Sequence, residues 1–214
     1  MFRRGPKPRV LATMPGSAAK GAARPGTLRR SELEALGAVW AGLGDSRAVL
    51  VTGGQEGKAG AALGLAAAAA AAGRRTVLVE CDFERPVLAQ SLGLSLTPGL
   101  GEYLRLQAGA PQILQSAVLA GPASGQAEAP LVCVVAGDPG SEGAALLGSE
   151  GLRHAVAKLR GAYELLVIDG PAGNDGGQGL RSLAAQADAT LACLGPGESS
   201  RRFGVAVTGI VQRS

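Results

Sequence analysis

The chain has 214 residues, enough for one domain of ordinary size with a sizeable core. With 46% hydrophobic and 18% charged residues it is too apolar for a disordered chain, and its 34 glycines follow no three-residue period, which excludes collagen. The net charge of +4 is unevenly placed: residues 1–30 hold eight basic side chains and no acid, which leaves −4 for residues 31–214.

Residues 1–30 are rich in Pro, Gly and Ala, and this composition predicts a disordered basic arm. Two readings of the arm stand. It is a solvated tail, or it touches anionic lipid or nucleic acid. The domain is expected over residues 31–214. Ser31 and Glu34 have capping-box spacing, and Leu33, Leu36, Trp40 and Leu43 share one helical face. Short apolar runs then recur at Ala48 to Thr52, Thr76 to Glu80, Leu131 to Val135, Leu165 to Asp169 and Thr190 to Leu194. Each reads as a strand buried on both faces. Helices are predicted between them, over Gly60 to Ala72 and over Ser149 to Arg160. Continuous apolar strands alternating with helices mean an α/β domain with a parallel sheet. Gly101 to Pro130 reads as a helical excursion followed by a loose loop. Gly204 and Gly209 make a helix after Ser199 doubtful from the residues alone, and Val205 to Val211 can form a final edge strand.

Cys81, Cys133 and Cys193 lie far apart without CxxC spacing, which argues against disulfides and zinc and favours the cytoplasm. The longest apolar run, Ala59 to Gly73, is Ala- and Gly-rich and too short to span a bilayer. No signal peptide is read at the start.

Ligands of parallel sheets bind at the carboxyl ends of strands, and the unusual residues fall there. After the first predicted strand come Thr52-Gly53-Gly54-Gln55-Glu56-Gly57-Lys58-Ala59-Gly60. A glycine-rich turn lets backbone N–H groups converge on phosphate oxygens, and the following helix adds its partial positive charge. Gly57-Lys58 fits the P-loop pattern G-x-x-x-x-G-K-[ST], but Thr52 replaces the first glycine and Ala59 the hydroxyl that holds Mg²⁺. The second strand ends in Glu80-Cys81-Asp82, whose two acids can share a side. The fourth ends in Asp169 after an apolar run, the place of an acid that supports a Mg²⁺ shell. A lone strand-end acid is often a mere cap. Three acids and a Gly-Lys turn over three strand ends are much harder to reach by accident. His154 is read as solvated and Cys81 as a core thiol.

These residues resemble a family, the cytoplasmic kinase domains of bacterial tyrosine kinases (BY-kinases) that control capsule and exopolysaccharide assembly, relatives of MinD/ParA-type ATPases. The family runs P-G-E-G-K-S-T, then L-L-I-D-x-D-x-R-R-P, E-L-L-x-S and Y-D-x-x-I-I-D-x-P-P. This chain carries Glu56-Gly57-Lys58-Ala59-Gly60 and Val77-Leu78-Val79-Glu80-Cys81-Asp82-Phe83-Glu84-Arg85-Pro86. Ala144-Ala145-Leu146-Leu147-Gly148-Ser149 and Tyr163-Glu164-Leu165-Leu166-Val167-Ile168-Asp169-Gly170-Pro171 follow. The resemblance covers residues 32–214. The departures are as specific. Ala59 and Gly60 replace both P-loop hydroxyls, Gln55 stands at a glycine and Glu80 at an Asp. Gly37 and Trp40 occupy the Arg positions of the oligomerisation motif. Tyr103 and Tyr163 are the only tyrosines, so a C-terminal tyrosine cluster is missing, and the family's last strand is expected to be lacking.

The resemblance implies a P-loop NTPase fold binding ATP and Mg²⁺, with binding weak or lost. It assigns catalysis to Lys58, Asp82 and Asp169. It assigns nucleotide binding to Gly53, Gly54, Gln55, Glu56, Gly57, Lys58, Ala59 and Gly60, and metal binding to Glu80, Asp82 and Asp169. The implied role is a catalytically impaired regulator of polysaccharide synthesis or export. An active ATP-dependent protein-tyrosine kinase is the alternative. A MinD/ParA-type positioning ATPase is a second, but it would want Lys where Gly53 stands. The implied partner is a membrane-embedded polysaccharide co-polymerase or adaptor, with no specific nucleic acid. The expected place is the inner face of the cytoplasmic membrane, reached through that partner, as a monomer or small oligomer.

Overall fold

A computed structural model describes residues 8–14, 30–54, 57–118, 130–172 and 177–213. The elements in chain order are β1 (Arg9–Met14), α1 (Arg30–Gly42), β2 (Ala48–Gly53), α2 (Lys58–Ala71), β3 (Thr76–Glu80), α3 (Leu88–Leu92), α4 (Leu100–Leu104), α5 (Ala110–Ile113), β4 (Gln115–Val118) and β5 (Pro130–Val134). Then follow α6 (Gly143–Leu147), α7 (Glu150–Ala162), β6 (Leu165–Ala172), α8 (Gln178–Ala184), β7 (Ala189–Leu194) and β8 (Gly209–Arg213). One sheet of eight strands takes the order β1-β8-β7-β2-β6-β3-β5-β4. Every neighbouring pair is parallel except β4 with β5.

The five apolar runs are strands, and β2, β3 and β7 are buried at every residue. Burial on both faces follows from their side-chain alternation. Val49 and Val51 point to one core with Leu36 and Val39 of α1 and Leu65 of α2. Ala48 and Leu50 point to the other, with Leu100 of α4, Leu152 of α7 and Leu180 of α8. The helix α2 is almost all Ala and Gly, so it presents little bulk, and it contacts β2, β3 and β6. The Ser149 hydroxyl caps α7 by accepting from the Leu152 N–H at 3.1 Å. Among predicted surface residues His154 is exposed, and Trp40 packs half-buried against the α1 side of the core.

Three expectations change. Composition predicts an arm over residues 1–30, yet Arg9–Met14 is β1, paired in parallel with β8. An average over thirty residues hides a six-residue run, Arg-Val-Leu-Ala-Thr-Met, able to satisfy a sheet edge. Leu11 lies where a Cβ on Gly209 would be, so a glycine in β8 makes room for it. The rest of the arm lies outside the described residues. The sheet also has its last strand. The stretch after Ser199 makes only a single 3₁₀ turn, Ser200–Phe203, which ends at Gly204 with φ 61°. The chain then returns as β8 between β7 and β1, inside the sheet and not at its edge. Within Gly101 to Pro130 the short edge strand β4 was not foreseen, and residues 119–129 lie outside the described residues.

Candidate functional site

The site lies where β2, β3, β6 and β7 end side by side. β2 closes on Gly53, paired with Cys193 of β7. A Cβ on Gly53 would overlap the Cys193 carbonyl, so only glycine fits this close approach. The next described turn residue after Gly54 is Gly57, with φ 86°, a left-handed conformation that favours glycine, and it caps the 14-residue α2. Lys58 opens that helix. Gln55 and Glu56 lie outside the described residues.

Lys58 is 3% exposed and its side chain crosses to β6. Its ammonium donates to the Asp169 carboxylate and to the Gly170 carbonyl, the latter at 2.5 Å. It lies 3.2 Å from Asp82 Oδ2. The structure thus brings together Lys58, Asp82 and Asp169 from three different strand ends. Asp82 is further held by the Arg85 N–H, which donates to its Oδ1 at 3.2 Å. Ala59 is half-buried and Gly60 is exposed beside them in α2.

Two carboxylates face one ammonium, so the buried cluster carries one negative charge too many. Burial pulls the Lys58 ammonium down, but Asp169 and Asp82 outweigh it and hold the group charged beyond its ordinary range. Burial pushes the Asp169 carboxyl up to about 6 despite the ammonium beside it. Asp169 Oδ2 is buried and has no hydrogen-bond partner among the described residues, so it is the oxygen that takes the proton. With that proton the cluster is neutral.

Glu80 does not join the group. It is fully buried, and its carboxylate accepts from the N–H groups of Val87 at 2.6 Å, Leu88 at 2.9 Å and Ala136 at 3.0 Å. The extra methylene that separates Glu from Asp carries the carboxylate to the start of α3. Glu80 is therefore a clasp that closes the loop presenting Asp82, its carboxylate committed to backbone. Burial raises its pKa against those three N–H bonds. Cys81 is buried, and burial pushes its thiol up, helped by Asp169.

A phosphate and a divalent cation make different demands on these residues. A phosphate fits: a glycine turn runs into the N-terminus of a long helix, with a lysine at its first position. Magnesium does not while Lys58 stays on Asp82 and Asp169. Ala59 brings no hydroxyl, and Glu80 is committed to backbone. Among the described residues no three His, Cys, Asp or Glu gather to hold a metal ion.

Two residues went unnoticed in the sequence. The loop after β7 places Glu198 beside Gly54, where a Cβ would lie 3.2 Å from both carboxylate oxygens. Arg202 pairs with Glu198 at 2.9 Å. Their signal was the Gly-Pro-Gly-Glu turn at another strand's carboxyl end.

No protein-family model and no curated protein matches the chain. Solved structures do. The kinase domain of the Escherichia coli tyrosine kinase ETK aligns with a TM-score of 0.77 at 16% identity, over 96% of this chain and 89% of that one. The chimerical protein CapA2B2 aligns with a TM-score of 0.75 at 17% identity, over 95% and 93%. The septum site-determining protein MinD from Pyrococcus horikoshii OT3, complexed with Mg-ADP, aligns at 0.52 and 20% identity, over 77% and 68%. These likenesses establish the fold, that of P-loop NTPases, and it is the fold that the motif resemblance implies.

Proposed function

We propose that the chain is a BY-kinase-like regulator of capsule or exopolysaccharide synthesis or export, catalytically impaired, with weakened ATP–Mg²⁺ binding. One observation carries the impairment: the lysine that would meet the phosphates is bound between Asp169, the Gly170 carbonyl and Asp82, next to an alanine. Three roles follow for the chain's own groups. The N–H groups at the start of α2 bind phosphate oxygens. Lys58 must leave one or both carboxylates to reach them. Asp169 holds the ammonium in place together with Asp82 while Lys58 stays. The metal, when present in P-loop enzymes, positions and neutralises the transferring phosphoryl group. Without a hydroxyl at position 59 that positioning is lost, and phosphoryl transfer loses orders of magnitude in rate. The second reading, an active protein-tyrosine kinase, needs Lys58 to leave both carboxylates when nucleotide arrives.

The motif resemblance to BY-kinase domains is what supports a role at the membrane. No helix among the described residues is long and apolar enough to cross a bilayer. We place the chain at the inner face of the cytoplasmic membrane through a membrane-embedded co-polymerase or adaptor, with weak anionic-lipid contact from the basic residues of 1–30. The test is phosphoryl transfer from ATP to tyrosine, read with a phosphotyrosine antibody. Transfer should be undetectable or far below kinase rates. Turnover at ordinary kinase rates overturns the impairment. In fractionation, loss of the partner should release the protein from membranes, and deleting residues 1–30 should weaken recovery only in part. Tight adhesion to neutral vesicles in high salt overturns the partner.

A further inference from the structure

The side of the glycine turn away from Lys58 is built from a segment that none of the motifs covers. β7 ends at Leu194, and the chain makes a tight turn over Gly195-Pro196-Gly197-Glu198. The Glu198 N–H donates to the Gly195 carbonyl at 3.2 Å, and the Gly195 N–H donates back to Glu198 Oε2 at 2.8 Å. Backbone and side chain thus close the same turn. The carboxylate is thereby fixed against the start of the glycine turn, within 3.2 Å of where a Gly54 Cβ would stand. Gly54 itself is tied to the same strand, its N–H donating to the Cys193 carbonyl at 3.3 Å. An acid is an unexpected neighbour for a turn whose other end suits phosphate, since like charges at such separations repel.

Arg202 resolves the oddity. Its guanidinium binds the other carboxylate oxygen, Glu198 Oε1, at 2.9 Å, and stands 3.6 Å from the same Gly54 Cβ position. It lies 5.3 Å from the ring of Phe203, a fully buried anchor that fixes its place beside the turn. Arg202 Nε is buried and has no hydrogen-bond partner among the described residues. A planar fork with an unmet donor, beside a glycine turn, lacks one acceptor. Its present partner is also exchangeable. Both side chains of the pair are about a third exposed or less, at 33% and 27%, so the ion pair is partly solvated and weak.

We infer that Arg202 is a second cationic group of the phosphoanion site, and that Glu198 is the chain's own competitor for it. An incoming phosphate replaces the Glu198 carboxylate on the guanidinium fork, which matches phosphate oxygens two at a time. The glycine at position 54 leaves the space in which that exchange takes place. The ligand class is a phosphoanion with at least two linked phosphates, long enough to reach from the start of α2 to the β7 loop. A built-in carboxylate is always present at high local concentration, so it weakens every such ligand alike.

The inference rests on the phosphate-site reading above, and the test separates the two. Inorganic pyrophosphate, without metal, is titrated calorimetrically into the full chain and into Glu198→Gln, Arg202→Ala and Lys58→Met, each shown folded by its thermal melt. Gln can still accept from the Gly195 N–H, so Glu198→Gln keeps the turn. Glu198→Gln should bind about tenfold more tightly than the parent, and Arg202→Ala about tenfold more weakly or not measurably, the scale of one charge-assisted hydrogen bond. Binding that is lost in Lys58→Met but unchanged in the other two variants overturns this inference alone. Binding by none of the four proteins, or binding that Lys58→Met leaves untouched, overturns the phosphate site and the inference with it.

Discussion

Replacing Lys58 by Met tests the buried cluster, because Met keeps the apolar stem and removes only the charge. The ammonium is 3% exposed and touches Asp169, the Gly170 carbonyl and Asp82. Removing one partner of a buried ion pair destabilises by about 3–5 kcal/mol, because the other charge is left uncompensated. The chain has one way to limit that loss, which is to protonate the orphaned carboxyls. For a carboxyl of ordinary pKa this costs ~5.6 kcal/mol at pH 8 and ~1.5 kcal/mol at pH 5. Lys58→Met should therefore lose about 3–5 kcal/mol at pH 8 and about 1–2 kcal/mol at pH 5. Domains of this size are stable by only about 5–15 kcal/mol, so the variant stays folded at pH 5 and becomes marginal at pH 8. Urea unfolding followed by circular dichroism at the two pH values measures both losses. Equal losses at the two values, or none at pH 8, would refute the cluster as the account describes it.

Asp169 keeps its proton to about pH 6 in the folded chain, against 3.8 for the ordinary group, because burial disfavours the ionised form. Its share of stability is therefore present below pH 3.8 and is lost as pH rises through about 6, by at most ~3 kcal/mol. Asp169→Asn should flatten that part of the stability profile relative to the parent; profiles of identical slope would contradict it. Glu80→Ala strips the acceptor from three N–H groups, two of them buried, and should lower stability by about 3 kcal/mol in urea. A stable Glu80→Ala protein with an altered Mn²⁺ titration would instead make Glu80 a ligand. Leu106 sits at φ 62° and is 92% exposed, so it carries backbone strain without burial in return. Leu106→Gly should raise stability by about 1 kcal/mol, read as a higher thermal midpoint, and a lower midpoint would show that the side chain has a contact.

The elements that were legible share a physical cause. β2, β3, β5, β6 and β7 lie inside the sheet, so burial on both faces forces continuous apolar runs, and each begins within one residue of its predicted start. β1 and β4 lie at the edges, half exposed, where nothing requires such a run. β8 was obscured by Gly204 and Gly209, glycines that weaken any local preference and whose worth lies in tertiary fit. Gly209 leaves room for Leu11, which is almost two hundred residues away in sequence. The site divides the same way. Lys58, Asp82 and Asp169 could be read because strand ends fix where side chains converge. The backbone engagement of Glu80 is not legible, because its partners, Val87, Leu88 and Ala136, are brought in by chain reversals that spacing does not reveal. Glu198 and Arg202 form an ordinary i,i+4 pair in sequence, and only the neighbouring Gly54 gives the pair meaning.

The central claim is that the glycine turn and α2 retain a phosphate site while the metal-holding set is incomplete for want of a hydroxyl at Ala59. Calorimetric titration of ATP, with and without Mg²⁺, into the parent and into Ala59→Ser tests it most directly. The parent should bind ATP weakly but measurably, with little gain from Mg²⁺. Ala59→Ser, which restores one hydroxyl at the second position of α2, should bind more tightly only when Mg²⁺ is present. Tight binding by the parent that depends on Mg²⁺, and that Ala59→Ser does not improve, would contradict the account.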